Sequence, residues 1–170
     1  DPNEIRGAVK AMIAHEGPVY MRIGNAAIPN LFEEEPFVIG RGRLIACGSD
    51  VTVIATGTQT GAATEAARLL QARGISCELI GMPTVKPLDE EMILSSVKKT
   101  GRVITVEEHY VRGGLGTAVS DLLCEKHPAP VMKLGVPHDY ATSGPYDEIM
   151  RKYGLDAPGI AAAAESFIRG

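Results

Sequence analysis

Tryptophan is missing from the chain, and phenylalanine and tyrosine number only 3 and 5. So few rings exclude the aromatic platforms on which single-stranded nucleic acid stacks. Cations are not in excess either: Lys+Arg 17 against Asp+Glu 21 leaves a net charge of −4. No long single-sign block occurs, which excludes a basic nucleic-acid footprint and a polybasic membrane arm. No apolar run approaches the ~18 residues of a membrane span, and no charged-then-apolar signal peptide opens the chain. Cysteine is scarce. Cys47, Cys77 and Cys124 are widely spaced and outside any CxxC pattern. They read as reduced thiols of a cytoplasmic protein, without a disulfide framework or a zinc site.

What is present is a globular balance. Hydrophobic residues make up 45% and charged residues 22% of 170 residues, enough to bury one core built from Ala, Val, Ile and Leu. At roughly 150 residues per domain this length predicts one domain with an appended piece. The first residue is Asp1 rather than Met, which is read as a processed chain or a fragment.

The opening segment carries helix-start signals. Asp1 stands at the N-cap, Pro2 at the first helical position and Glu4 at the capping-box position. Ile5, Val9, Met12 and Ile13 follow at helical spacing, and Gly17-Pro18 ends the run. Val19, Met21 and Ile23 alternate with Tyr20 and Arg22, predicting a short half-buried strand. A lone helix and strand bury too little apolar surface to fold independently. Residues 1–28 therefore read as the tail of a domain whose other strands lie elsewhere, and 29–36 as a polar linker.

From residue 37 to 170 the pattern alternates between strands and helices. Arg43–Cys47 and Val51–Thr56 are β-rich and joined by Gly48-Ser49-Asp50, a hairpin signal. A helix over 61–73 stops at Gly74, and Cys77–Gly81 is a strand. Asp89 caps a helix over about 90–99, with Leu88 and Ile93 at the hydrophobic-staple positions and Gly101 as its stop. Arg102–Val106 is a strand, a helix runs from the glycine loop to Lys126, and Val131–Val136 is the last strand. Two C-terminal helices follow Pro145 and Asp156. The expected fold is α/β: three layers around a mostly parallel five-stranded sheet, its first strand an antiparallel edge.

Five features could carry chemistry. The loop Gly113-Gly114-Leu115-Gly116 lies between a strand and a helix, where free N–H groups and the helix dipole could cradle an anion. The bland reading, a tight turn with close helix packing, is the stronger, because the third glycine of a dinucleotide fingerprint is absent and so is its acidic ribose ligand. Thr56-Gly57-Thr58-Gln59-Thr60-Gly61 lacks the lysine of a P-loop and reads as a strand-to-helix turn with a threonine N-cap. Glu107, Glu108 and His109 stand at the carboxyl end of a strand, as does His138-Asp139. They read as an interface or solvated crest rather than as direct chemistry. Arg22, followed by Gly24 and Asn25, is a cation placed for bidentate phosphate binding or a surface strand residue; local logic leaves the two open.

Taken together, these segments resemble the transketolase superfamily over nearly the whole chain. Gly17-Pro18-Val19-Tyr20-Met21-Arg22 is similar to the final strand of the family's pyrimidine-binding domain. Asp50-Val51-Thr52-Val53-Ile54-Ala55-Thr56-Gly57 is similar to the opening strand of its C-terminal domain. Val85-Lys86-Pro87-Leu88-Asp89, and Val106-Glu107-Glu108-His109 with Gly113-Gly114-Leu115-Gly116, complete the likeness. The acidic linker and His109 look most like the C-terminal subunit of split transketolases.

The resemblance implies the C-terminal part of a thiamine diphosphate- and Mg2+-dependent enzyme moving a two-carbon ketol unit between sugar phosphates. It implies an N-terminal portion or subunit as partner and a homodimer, with no nucleic acid and no membrane. It assigns the substrate phosphate to Arg22. The family's Gly-Asp-Gly motif is absent, and the glutamate that activates the cofactor lies upstream in family members. The isolated chain is therefore expected to bind no cofactor or metal and to catalyse nothing. The alternatives are the C-terminal part of a deoxyxylulose-phosphate synthase, which carries two arginines near this position, or of a 2-oxoacid dehydrogenase β subunit. A non-catalytic regulatory or anion-binding module, using Gly113, Gly114 and Gly116, is the reading from a different class.

Overall fold

A computed structural model describes residues 1–24, 27–138, 140 and 142–170. Asn25 and Asp139, both singled out from the sequence, lie outside the described residues. The helix α1 (Pro2–Ala14) starts as its sequence dictates. The Asp1 side chain accepts the Glu4 N–H at 2.8 Å while the Glu4 carboxylate takes the chain's own amino group at 3.1 Å. The other Asp1 oxygen accepts the N–H groups of Leu31 and Phe32 at 2.6 and 2.9 Å, so α1 is moored to the segment that holds them. Gly7 is buried there because a Cβ would come within 2.9 Å of Phe37 Cβ.

The strand expected over Val19–Ile23 is not one. Its residues are irregular, and Val19, Tyr20 and Ile23 are exposed. Alternation alone does not make a strand; a hydrogen-bonded neighbour does, and among the described residues no strand pairs with that segment.

The sheet is formed by β1 (Arg43–Ala46), β2 (Val51–Ala55), β3 (Cys77–Gly81), β4 (Val103–Tyr110) and β5 (Val131–Val136), in the order β1-β3-β2-β4-β5. All neighbours are parallel except β1 and β3. The hairpin expected between β1 and β2 does not form, because β3 lies between them. The Gly48 turn steps over the start of β3 instead. The Ser49 and Asp50 N–H groups donate to the Ser76 carbonyl at 3.1 and 2.8 Å, and a Cβ on Gly48 would meet the Cys77 carbonyl carbon at 2.2 Å. Burial drives the insertion: β2 is buried at every residue and needs a strand on both sides, whereas half-exposed β1 suits an antiparallel edge.

Side-chain alternation divides the core in two. Val51, Val53 and Ala55 of β2 face one layer, made by α2 (Gln59–Ala72), α5 (Tyr146–Lys152) and α6 (Ala157–Arg169). Ile54 faces the other, made by α3 (Glu90–Thr100) and α4 (Leu115–Lys126). Helix ends are largely satisfied as expected: Asp89 caps α3 at 3.1 Å, Leu88 packs in the cluster that holds Ile93, and Gly101 takes the left-handed φ of 73°. Arg102 donates to the Phe167 and Ile168 carbonyls at 3.2 and 2.9 Å, tying the end of α6 to the start of β4. No helix among the described residues is long and apolar enough to cross a membrane.

Candidate functional site

Two helices leave the sheet in opposite directions at one point. From the carboxyl end of β2 the chain enters α2 on one face; from the adjacent carboxyl end of β4 it enters α4 on the other. Such a switch point opens the crevice in which open α/β sheets take their ligands. Glu107 and Glu108 sit on that end of β4. Successive strand residues point to opposite faces, so the two carboxylates part.

Glu107 is buried, 2% exposed, and turns to α4. It accepts the N–H groups of Leu115 at 2.8 Å and Gly116 at 2.7 Å, while the Gly113 N–H donates to Thr117 Oγ1 at 2.9 Å. The glycine loop thus already receives an anion, and it is the chain's own. An external anion at the Gly116 N–H would have to displace the Glu107 carboxylate, and one at the Gly113 N–H the Thr117 hydroxyl. Gly114 is required by that arrangement, since a Cβ would lie 2.0 Å from Glu107 Oε2.

Glu108 turns to α2. Its Oε2 accepts the Thr58 hydroxyl at 2.6 Å and the Tyr146 hydroxyl at 2.8 Å. The expected threonine N-cap falls on Thr58, because the helix starts at Gln59 rather than at Gly61, but Thr58 makes no side-chain bond to the helix N–H groups; the carboxylate has taken its hydroxyl. Burial, together with the Glu108 carboxylate, holds the Tyr146 phenol above its usual value against the opposing bond from Thr58. Tyr146 therefore remains a proton donor at neutral pH.

Arg22 reaches the same place. Its Nη1 donates to the Glu108 backbone carbonyl at 3.0 Å. Arg22 lines a cavity of about 330 Å³ with Glu4, Met21, Thr58, Met82 and Pro83. A larger groove, about 880 Å³, lies along β1 and α2. There Arg68 is paired with Glu65, and the strand ends that reach it are the end of β1 and the start of β3, away from the switch point. The smaller cavity is the one that adjoins the switch point, through Thr56, Gly57 and Thr58 at the end of β2.

The sequence-derived candidates are thus partly united. Arg22, Thr58 and Glu108 meet at the switch point. His109 is exposed, its Nδ1 2.9 Å from the Tyr110 carbonyl and 4.0 Å from Glu107. His138 makes an edge-on ring contact with Tyr110 at 5.2 Å. Tyr146 was not a sequence candidate; it lies 38 residues from Glu108, and no local pattern joins them.

The donors here do not fit a Mg2+-bound diphosphate. Such a cation needs converging oxygen ligands, but Glu107 and Glu108 are each held by hydrogen-bond donors. Among the described residues no three His, Cys, Asp or Glu side chains converge.

Comparison with known proteins extends the geometry. Residues 40–160 match the family described as "Transketolase, C-terminal domain". The chain is 38% identical to a subunit of the apulose-4-phosphate transketolase of Phocaeicola vulgatus, over 99% of this chain and 54% of that protein. It is 40% identical to 1-deoxy-D-xylulose-5-phosphate synthase 1 of Geobacter sulfurreducens, over 99% of this chain and 27% of the synthase. Among solved structures, a chain described as "Split gene transketolase, inactive beta4 tetramer" superposes with a TM-score of 0.95 at 40% identity. That match covers 99% of this chain and 56% of the other. The chain spans about half the length of these subunit relatives and about a quarter of the synthase.

Proposed function

The chain belongs to the transketolase C-terminal domain family, and from that membership we propose that it is the C-terminal part of a transketolase-type transferase. The complete enzyme uses thiamine diphosphate and Mg2+ to move a two-carbon ketol unit. The donor ketose phosphate is shortened to an aldose phosphate, and an acceptor aldose phosphate is lengthened. The cofactor supplies the carbanion chemistry and the protein supplies binding and orientation.

In this reading the cofactor and metal are held by the N-terminal portion or subunit. Residues 1–28 are the end of its pyrimidine-binding domain, and Arg22 receives the substrate phosphate. A guanidinium suits that task because its donors match phosphate oxygens in pairs. The whole works as a homodimer in the cytoplasm, in keeping with three unpaired thiols, and the isolated chain is inactive.

The observation that carries the proposal is the likeness along nearly the whole chain to a transketolase subunit that is itself about twice as long. The solved chain described as an inactive tetramer supports inactivity in isolation. A second reading, the C-terminal part of a deoxyxylulose-phosphate synthase, draws on the 40% identity to the Geobacter sulfurreducens enzyme. The test is reconstitution with the upstream portion. Ketol transfer between sugar phosphates should appear with both parts and not with this chain alone. Transfer by the chain alone, or decarboxylation of pyruvate by the pair in place of transfer, would overturn the proposal.

A further inference from the structure

The carbonyl that meets Arg22 is not an ordinary sheet carbonyl. The β2–β4 ladder ends at Ala55 and Val106, with a last bond from the Thr56 N–H to the Val106 carbonyl at 3.2 Å. On the other side, the β4–β5 register slips between Val106 and Tyr110. Residues 107–109 therefore form an irregular stretch, accommodated by Gly135, where a Cβ would come within 2.7 Å of the His109 carbonyl oxygen. Bulges of this kind re-aim groups beside functional sites, and they lose the ladder that would keep the backbone still.

We infer that Glu108 is a positioning residue: its carboxylate, clamped by the Thr58 and Tyr146 hydroxyls, fixes its own carbonyl at the register slip so that the carbonyl holds the Arg22 guanidinium for the substrate phosphate. The inference rests on the proposed role of Arg22 and adds how that side chain is oriented. Two elements supply what the broken ladder does not. Thr58 anchors from the start of α2, Tyr146 from α5, and the irregular end of β4 carries the carbonyl between them. An arginine has five N–H donors, and the bond to the Glu108 carbonyl uses one. The guanidinium plane is thereby set while other donors stay available to phosphate oxygens. Arg22 is otherwise a long, exposed side chain, and ordering it only when substrate arrives would weaken binding. The clamp makes the C-terminal domain a participant in phosphate selectivity without touching the substrate.

The test uses the reconstituted enzyme with a donor ketose phosphate and the same ketose without its phosphate. Arg22→Met should raise KM for the phosphorylated donor about 100-fold and leave the other unchanged. Glu108→Ala should raise the same KM about tenfold, and Tyr146→Phe or Thr58→Val about fivefold, with kcat within about twofold. Tyr146→Phe removes only a hydroxyl, so it provides the measurement should Glu108→Ala not fold. Equal loss with both donors would reduce the clamp to a structural brace and overturn the inference. Unchanged KM values in all three clamp variants, beside a large effect in Arg22→Met, would overturn the clamp but leave the role of Arg22. No effect of Arg22→Met would overturn both.

Discussion

The Glu107 carboxylate closes the N-terminus of α4 by accepting the Gly116 N–H at 2.7 Å and, with its other oxygen, the Leu115 N–H at 2.8 Å. A buried charge is tolerated there because helix N–H groups and the helix dipole both favour an anion. Glu107→Ala leaves two buried N–H groups unpaired and should cost about 2–4 kcal/mol in urea unfolding. Glu107→Gln keeps one acceptor oxygen and should lose about half as much. A Glu107→Ala protein of unchanged stability would contradict this assignment.

Glycines that look alike in the sequence should differ in cost. A Cβ at Gly48 meets the Cys77 backbone at 2.2 Å, and backbone cannot swing aside. Gly101 has only a left-handed φ of 73° to strain, with open space around it. Thermal melts should place Gly48→Ala about 3 kcal/mol below the parent and Gly101→Ala about 1 kcal/mol below. The reverse order would mean that the Gly48 turn does not step over the start of β3 as described.

Glu78, almost fully buried on β3, supplies an acid-sensitive contact. Burial pushes its carboxyl up, but the Lys99 ammonium, Ser96 and the Gly48 N–H outweigh that and leave it below its ordinary 4.5. The unfolded chain then binds this proton more readily than the folded one, so stability is full above pH ~4.5 and drains away as pH falls through the lower folded value. Glu78→Gln should flatten the acid limb of a stability-against-pH curve. An unaltered limb would place the acid sensitivity elsewhere.

Burial lifts the Cys77 thiol from 9.0 to about 12, with the neighbouring Glu78 charge adding to it, while Cys47 and Cys124 are exposed. Since the thiolate is the reactive form, a thiol reagent at pH 8 should label two sites quickly and the third only on unfolding. The raised value also costs stability as pH climbs from 9.0 toward 12, because the unfolded state releases its proton first. Rapid labelling of Cys77 in the native protein would contradict its placement under α2.

Local chemistry is readable in the residues; pairings across distance are not. Asp1 with Glu4, Leu88 with Ile93, and Gly101 each act within a few residues, and each stands where its pattern places it. The β1–β3 pairing is hidden because Gly48-Ser49-Asp50 reads as a hairpin turn whether or not another strand slips in. Arg22, Thr58, Glu108 and Tyr146 come from four separate stretches of the chain, so only the folded switch point assembles them. The Glu107-Glu108 pair does carry a usable signal. Two adjacent acids at a strand end, before a glycine-opened helix, supply one carboxylate to each face.

The central proposal is that thiamine diphosphate and Mg2+ are held by the upstream portion and not by this chain alone. Isothermal titration of thiamine diphosphate with Mg2+ tests it most directly, first into the isolated chain and then into its complex with the upstream portion. No binding heat is expected from the chain alone, and micromolar binding is expected from the complex. Micromolar binding by the isolated chain would contradict the claim.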